Sequence, residues 1–251
     1  MKFLFTILFI SFSFNIHALK IISEIDPPYN YKDKNGKPVG LAVEIVQEIQ
    51  RRVKNNDPIQ FYPWARAYRT AETTPNVVLF SMARTKKRQN LFKWIGPFVD
   101  NSWILVTKKN SSLKIDNLEQ AKLIPTIGVY RDDSRDHYLT QHGFKNLSRT
   151  NLNENGFRML FADRIDAYAA VDITLDKSLS EIGYKTDELK TLLTLKTVQV
   201  FIVISKKTDP SVIKKWKETF ESMRNDGTYE KIFRKYFPKR KLPSTELESL
   251  D

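Results

Sequence analysis

The sequence predicts an α/β protein of parallel strands and covering helices, divided into two lobes. Three observations carry this. Strand-like and helix-like periods alternate from Lys20 to Phe80, an order that demands parallel pairing through right-handed crossovers. The order begins again after the polar stretch Lys108 to Lys114. Thr197 to Ser205, TVQVFIVIS, is a nine-residue strand pattern, too long for one small sheet and therefore expected to cross between lobes.

Lys20 to Glu24 reads as the first strand, stopped by Asp26-Pro27-Pro28, which can neither continue a ladder nor start a helix before Tyr29. Asn35-Gly36 is a hairpin-type turn. Leu41, Val43, Ile45, Val46, Ile49 and Val53 follow with amphipathic helical spacing. Ile59 to Tyr62 is a second short strand, and Pro63 opens a helix holding Trp64, Arg66, Tyr68 and Arg69, since proline loses nothing in a first turn. Val77 to Phe80 is a buried strand, Trp94 to Phe98 an aromatic Gly-Pro turn, and Trp103 to Thr107 another strand. In the repeat of the order, Asp116 and Glu119 form a capping box and Thr126 to Tyr130 a strand. Ser134 to His142 and Gly156 to Ala162 are helices, Ala167 to Val171 a strand ending at Asp172, and Thr191 to Leu195 a separate one. Asp209-Pro210 starts a helix closed by Asp226-Gly227, and Thr228 to Phe237 forms the last.

The chain has 251 residues, enough for two domains that each bury a core. Its 12% aromatic and 41% hydrophobic content excludes a disordered chain. Residues 1–18, MKFLFTILFISFSFNIHA, read as a cleaved signal peptide, with Lys2, an apolar core and a small residue at Ala18. Export to the periplasm is the expectation, with the mature chain starting near Leu19. Cysteine is absent, which leaves neither a lipid-attachment site nor a disulfide. The formal charge of +12 invites a nucleic-acid partner. Acidic residues are interspersed among the basic ones and no nucleic-acid motif is visible, so none is expected.

The stretch from Asn76 to Phe98, NVVLFSMARTKKRQNLFKWIGPF, carries the chemistry. Ser81 to Thr85 supplies polar groups at the carboxyl end of a buried strand, where ligands sit in open α/β sheets. Arg84 and Arg88 can converge there on an anion; the alternative is that Arg84, Lys86, Lys87 and Arg88 mark a solvated basic helix. His137 and His142 have no metal-ligand companion at a recognised spacing, and no metal or cofactor is expected.

Four segments together resemble the bacterial extracellular solute-binding proteins of family 3, the polar-amino-acid branch of periplasmic binding proteins. They are PPYNYKDKNGKPVGLAVEIVQEI from Pro27, SMARTKKRQNLFKWIGPF from Ser81, ADRIDAY from Ala162, and DPSVIKKWKETFESMRNDGTYEKIFRKYF from Asp209. The resemblance implies a two-lobed type II periplasmic binding protein fold with lobe 2 inserted in lobe 1. Residues 19–104 and 200–251 would form lobe 1 and 105–199 lobe 2, joined by hinge strands near Trp103 to Thr107 and Val198 to Ile204. It implies that Arg88 grips a ligand α-carboxylate and that Ser81 and the N–H of Ala83 add donors. Tyr29 and Trp64 would wall the pocket, Ser134 would begin a lobe 2 helix beside it, and Asp172 would accept the ligand ammonium. Ala83 stands where amino-acid binders carry a threonine, and the Asp166 to Asp172 spacing is one residue longer than the family pattern. Arg66 and Arg84 beside the shelf point to a more acidic ligand. Read without the resemblance, Tyr29 and Trp64 are equally core aromatics, and Ser134 and Asp172 helix caps.

The implied function is reversible capture of a small polar or acidic amino acid, or a close analogue, by a monomer. Delivery to the permease of an ABC-type importer is the first expectation, and reporting to a membrane receptor the second. A dehydratase-like enzyme is a third, opposed by the lack of a Ser-His or Cys-His arrangement and by Asp132 and Asp133 reading as turn and cap residues.

Overall fold

The computed structural model describes residues 18–246; the proposed signal peptide, but for Ala18, lies outside them. The protein is a two-lobed α/β structure. Its first part comprises β1 (Lys20–Ser23), β2 (Tyr31–Lys32), β3 (Pro38–Val39), α1 (Leu41–Val53), β4 (Ile59–Phe61), α2 (Trp64–Thr73) and β5 (Val77–Ala83). Then come β6 (Phe92–Lys108), α3 (Leu118–Ala121), β7 (Ile127–Tyr130), α4 (Ser134–Gln141), β8 (Leu147–Thr150), α5 (Asn153–Phe161), β9 (Ala167–Val171) and α6 (Leu175–Ser180). The chain returns through β10 (Leu189–Ser205) and closes with α7 (Pro210–Asn225) and α8 (Thr228–Tyr236).

The strands are ordered β4-β1-β5-β10-β6-β9-β7-β8. β4, β1 and β5 pair in parallel, as do β9, β7 and β8, which the helical connections between them require. The two sets are joined by β6 and β10, antiparallel partners along their whole length from Phe92↔Ser205 to Lys108↔Leu189. β5 pairs with β10 at Val200 to Ile204, whereas β9 pairs with β6 at Trp103 to Val106. Between these zones the long strands run unsupported from one half-sheet to the other.

Apolar periodicity explains the layers. α1, α7 and α8 press Ile45, Val46, Trp216, Phe220 and Phe233 onto one face of the first half-sheet. α2 places Trp64, Ala67 and Ala71 on the other face. In the second half-sheet α5 and α6 cover one face with Phe157, Leu160 and Leu179, and Leu139 of α4 joins the opposite cluster.

Local readings differ from the structure where pairing is non-local. Gly96-Pro97 is not a turn but lies inside β6. Gly96 sits at φ 128 beside the break in register between Val200 and Ile202, and a Cβ there would meet the Phe201 ring at 3.2 Å, so only glycine fits. Thr191 to Leu195 and Thr197 to Ser205 are one strand rather than two, and Trp103 to Thr107 is the far end of β6. The basic run from Lys86 forms a single turn in which Arg88 and Gln89 both donate to the Thr85 carbonyl. It cannot lengthen into a helix because Phe92 is already taken into the core and the β6 ladder. Asn117 caps α3 instead of Asp116, its side chain accepting from the Gln120 N–H at 2.9 Å. The short polar β8 has no apolar pattern to announce it and was not expected.

Candidate functional site

β1 delivers Glu24, Ile25 and Asp26 over the carboxyl edge of the first half-sheet, where the Pro27-Pro28 pair turns the chain back. Tyr29 is buried against Phe98, and its hydroxyl accepts from Asn101 Nδ2 on β6 at 3.2 Å. Asn30 braces the loop, donating from Nδ2 to the Glu24 carbonyl at 2.6 Å and accepting at Oδ1 from the Ser81 hydroxyl. Ser81 adopts φ 68 within β5, so the strand continues to Ala83 rather than ending where the polar residues begin.

Arg88 projects from the β5–β6 turn and is only 1% exposed. Its guanidinium lies 5.1 Å from the centroid of Trp64 and 5.2 Å from that of Tyr68, two rings whose centroids are 5.9 Å apart, so it rests against both. Its Nη2 is buried and has no hydrogen-bond partner among the described residues. Burial pulls its pKa down while Asp133, Tyr68 and Glu24 oppose the shift; an arginine stays charged regardless.

The other half-sheet closes over this edge. The Tyr130 hydroxyl accepts from the Trp64 N–H at 3.3 Å, and the Trp64 indole donates to the Asp132 carbonyl at 3.2 Å. Asp133 caps α4, accepting from both the N–H and Nε of Arg135 at 2.7 Å. Arg135 is buried and donates onward to the Ala169 carbonyl at 3.1 Å. Ser134 stands at the first position of the helix, buried.

These groups surround a cavity of about 40 Å³ between the half-sheets. Tyr29, Trp64, Ser81, Ala83, Arg88 and Ser134 line it. The lining excludes Arg66, Arg84 and Asp172. Arg66 lies 4.3 Å over the Tyr62 ring on the exposed side of α2. Arg84 faces a neighbouring cleft. Asp172 accepts from the Ser102 N–H at 2.9 Å and from Arg240 Nη2 at 3.2 Å, and Val171 lines the cavity in its stead. The longer spacing from Asp166 has moved the carboxylate past the end of β9 into a 3₁₀ turn.

The acidic groups of the cavity are Glu24, Asp26 and Asp133. The first two were not singled out in the sequence, although their place at the end of the first strand is a ligand position by topology. Burial raises Glu24 well above the ordinary carboxylate range, and Asp26 and Asp133 add to the effect. Asp26 is pushed up to about 7 by burial, against the pull of Arg135. Burial also opposes ionisation of Asp133, but Arg135 and Arg88 outweigh it and hold the group below its usual value. Burial thus favours the protonated form of Glu24 and Asp26 relative to an exposed carboxyl. A larger cavity of about 320 Å³ adjoins at Glu24, Ile25, Tyr130 and Asn153 and carries Glu154 and Glu181 at its rim. Among the described residues no His, Cys, Asp and Glu cluster could hold a metal, and no helix is long and apolar enough to cross a membrane.

The sequence profile of the bacterial extracellular solute-binding proteins, family 3, matches residues 19–239. The histidine-binding periplasmic protein of Escherichia coli (strain K12) is 22% identical over 221 residues, covering 84% of this chain and 83% of that protein. Among solved structures, a histidine kinase sensor domain with similarity to periplasmic binding proteins superposes with a TM-score of 0.80 at 20% identity, covering 88% of this chain and 96% of the other. The arginine-, lysine-, histidine-binding protein ArtJ from Geobacillus stearothermophilus gives 0.77 at 16% identity, covering 90% and 97%.

Proposed function

The chain belongs to the bacterial extracellular solute-binding proteins of family 3, and on that footing we propose that it captures an amino acid carrying a cationic group between its lobes. The observation that carries this reading is the buried Arg88 guanidinium, held on two aromatic rings with Nη2 unpartnered, in a cavity that also contains Glu24 and Asp26. A ligand α-carboxylate would occupy the open donor of Arg88 beside the Ala83 N–H, and would gain the Ser81 hydroxyl only by drawing its proton from Asn30 Oδ1. Its positive charge would face Glu24 and Asp26, and a longer side chain would extend toward Glu154 and Glu181.

An acidic ligand was expected from Arg66 and Arg84, but both lie outside the cavity lining while three carboxyl groups, Glu24, Asp26 and the Arg135-paired Asp133, lie within it. The relatives named for histidine, arginine and lysine agree in charge with the cationic reading. At about 40 Å³ the closed cavity has room for only a few water-sized molecules, so lobe opening is part of entry. We take residues 19–104 with the chain from 200 onward as lobe 1 and 105–199 as lobe 2, because β5 engages β10 at Val200 to Ile204, on the first side of that division, whereas β9 engages β6 across it at Trp103 to Val106. Binding would take place in the periplasm, with delivery to a membrane permease. The likeness in fold to a kinase sensor domain supports a receptor partner as the second reading.

Titration calorimetry of the mature chain with arginine, lysine, histidine, glutamine and glutamate tests the proposal. Saturable binding of a cationic member, with glutamate at least tenfold weaker, is expected. Preference for glutamate would overturn the charge assignment, and unchanged affinity in Arg88→Ala would overturn the site.

A further inference from the structure

Beside the ligand cavity, and sharing Trp103 and Ser134 with it, lies a second cleft of about 230 Å³. One wall is the β5–β6 turn, with Arg84, Lys86 and Lys87; the other is α4, with His137, Tyr138 and His142. Lys196 of β10 closes the floor, and among the described residues no carboxylate lines the space. The nearest acids on α4 are engaged elsewhere: Asp133 by Arg135, and Asp136 by Arg149 at 2.8 Å.

Two observations concern Arg84, Lys87 and His137 among the described residues. Arg84 Nε is buried and has no hydrogen-bond partner among the described residues. Across the cleft, Lys87 Nζ and His137 Nε2 stand 3.4 Å apart, so the closed arrangement sets an ammonium from one half-sheet against an imidazole from the other. Burial, and then Lys87 and Arg88, depress the basicity of His137 accordingly. The closed arrangement therefore sets the Lys87 ammonium beside an imidazole whose protonation it opposes, and an anion bound between them would remove that opposition. Trp103 and Tyr138, with ring centroids 5.7 Å apart, give the cleft an aromatic side that lowers the local dielectric.

We propose that this cleft is a second binding site, for a small oxyanion (a carboxylate or phosphate group), and that the anion bridges Arg84 and Lys87 to His137 and so favours the closed state. Coupling to the amino-acid cavity follows, because a ligand that prefers the closed state raises the affinity of any other that does. The coupling rests on the function proposed above; the anion site does not.

The test titrates the mature chain, free of amino acid, with inorganic phosphate and separately with acetate, at constant ionic strength. Calorimetry gives stoichiometry, and the imidazole resonances of His137 report occupancy by NMR. One saturable site is expected for at least one of the two, with His137 becoming more basic on binding. The Arg84→Gln, Lys87→Gln double variant should weaken binding at least tenfold, while Lys214→Gln, Lys217→Gln on exposed α7 should not change it. No saturable binding, or equal losses in both double variants, would overturn the site. For the coupling, the Kd of the cationic amino acid found above should fall several-fold with saturating anion; an unchanged Kd would overturn the coupling and leave both sites standing.

Discussion

The Arg88 guanidinium and the Trp64 ring stand 5.1 Å apart, a basic group from the β5–β6 turn laid on an indole that itself donates across the cleft to Asp132. The anion grip proposed for Arg88 and the contact between the half-sheets therefore share the Trp64 side chain, and displacing either partner should disturb both.

Arg88→Ala should lower affinity for the amino acid by about 2–5 kcal/mol, on the order of thirtyfold or more in Kd, because a buried ligand carboxylate would lose its charged partner. Arg88→Lys should recover little, since an ammonium cannot offer the paired fork. Arg88→Met should raise the ligand-free midpoint of denaturation, as it removes a buried donor without a partner. Calorimetry and urea denaturation check the three variants.

Asp26 makes stability and binding depend on pH in opposite directions. Its folded-state pKa, about 7, lies above the ordinary 3.8, so the folded chain holds this proton more tightly than the unfolded one. The contribution to stability is greatest below about pH 4 and is lost as pH rises through 7. A cationic ligand favours the ionised carboxylate, so affinity should increase from pH 5 to pH 8 and binding should release protons. Asp26→Asn should flatten both trends. Denaturation at several pH values, and calorimetry in buffers of different ionisation enthalpy, measure them.

Tyr130→Phe removes the hydroxyl that accepts from the Trp64 N–H across the cleft. A loss of about 0.5–1.5 kcal/mol in closure is expected, seen as a larger radius of gyration of the ligand-free protein in small-angle scattering. An unaltered scattering curve would show that the lobes close without this contact.

Gly156→Ala tests packing behind Asn153, a residue of the cavity lining. A Cβ there would lie 2.0 Å from the Tyr168 ring, which cannot retreat because its hydroxyl bonds Asn153 Oδ1 at 2.7 Å and the ring is fully buried. The substitution should destabilise by about 1–3 kcal/mol, measured by urea denaturation.

The sequence alone determined the alternation of strands and helices, the caps at Asp209 and Gly227, and the prominence of Arg88. Each of these is written in neighbours: a hydrophobic period, a residue whose backbone preference ends a helix, a cation beside a buried strand. Tertiary structure decided which charges meet. Glu24 and Asp26 are ordinary loop residues until the edge of the first half-sheet is roofed by Asp133 and Arg135, more than a hundred positions later. Asp172 passes for a ligand contact until Ser102 and Arg240 claim its two oxygens. Residues 92–108 divide into turn and strand until the ladder to β10 makes them continuous. Pairing across a sheet and closure of one half on another join residues with no local relation, and burial then sets their charges.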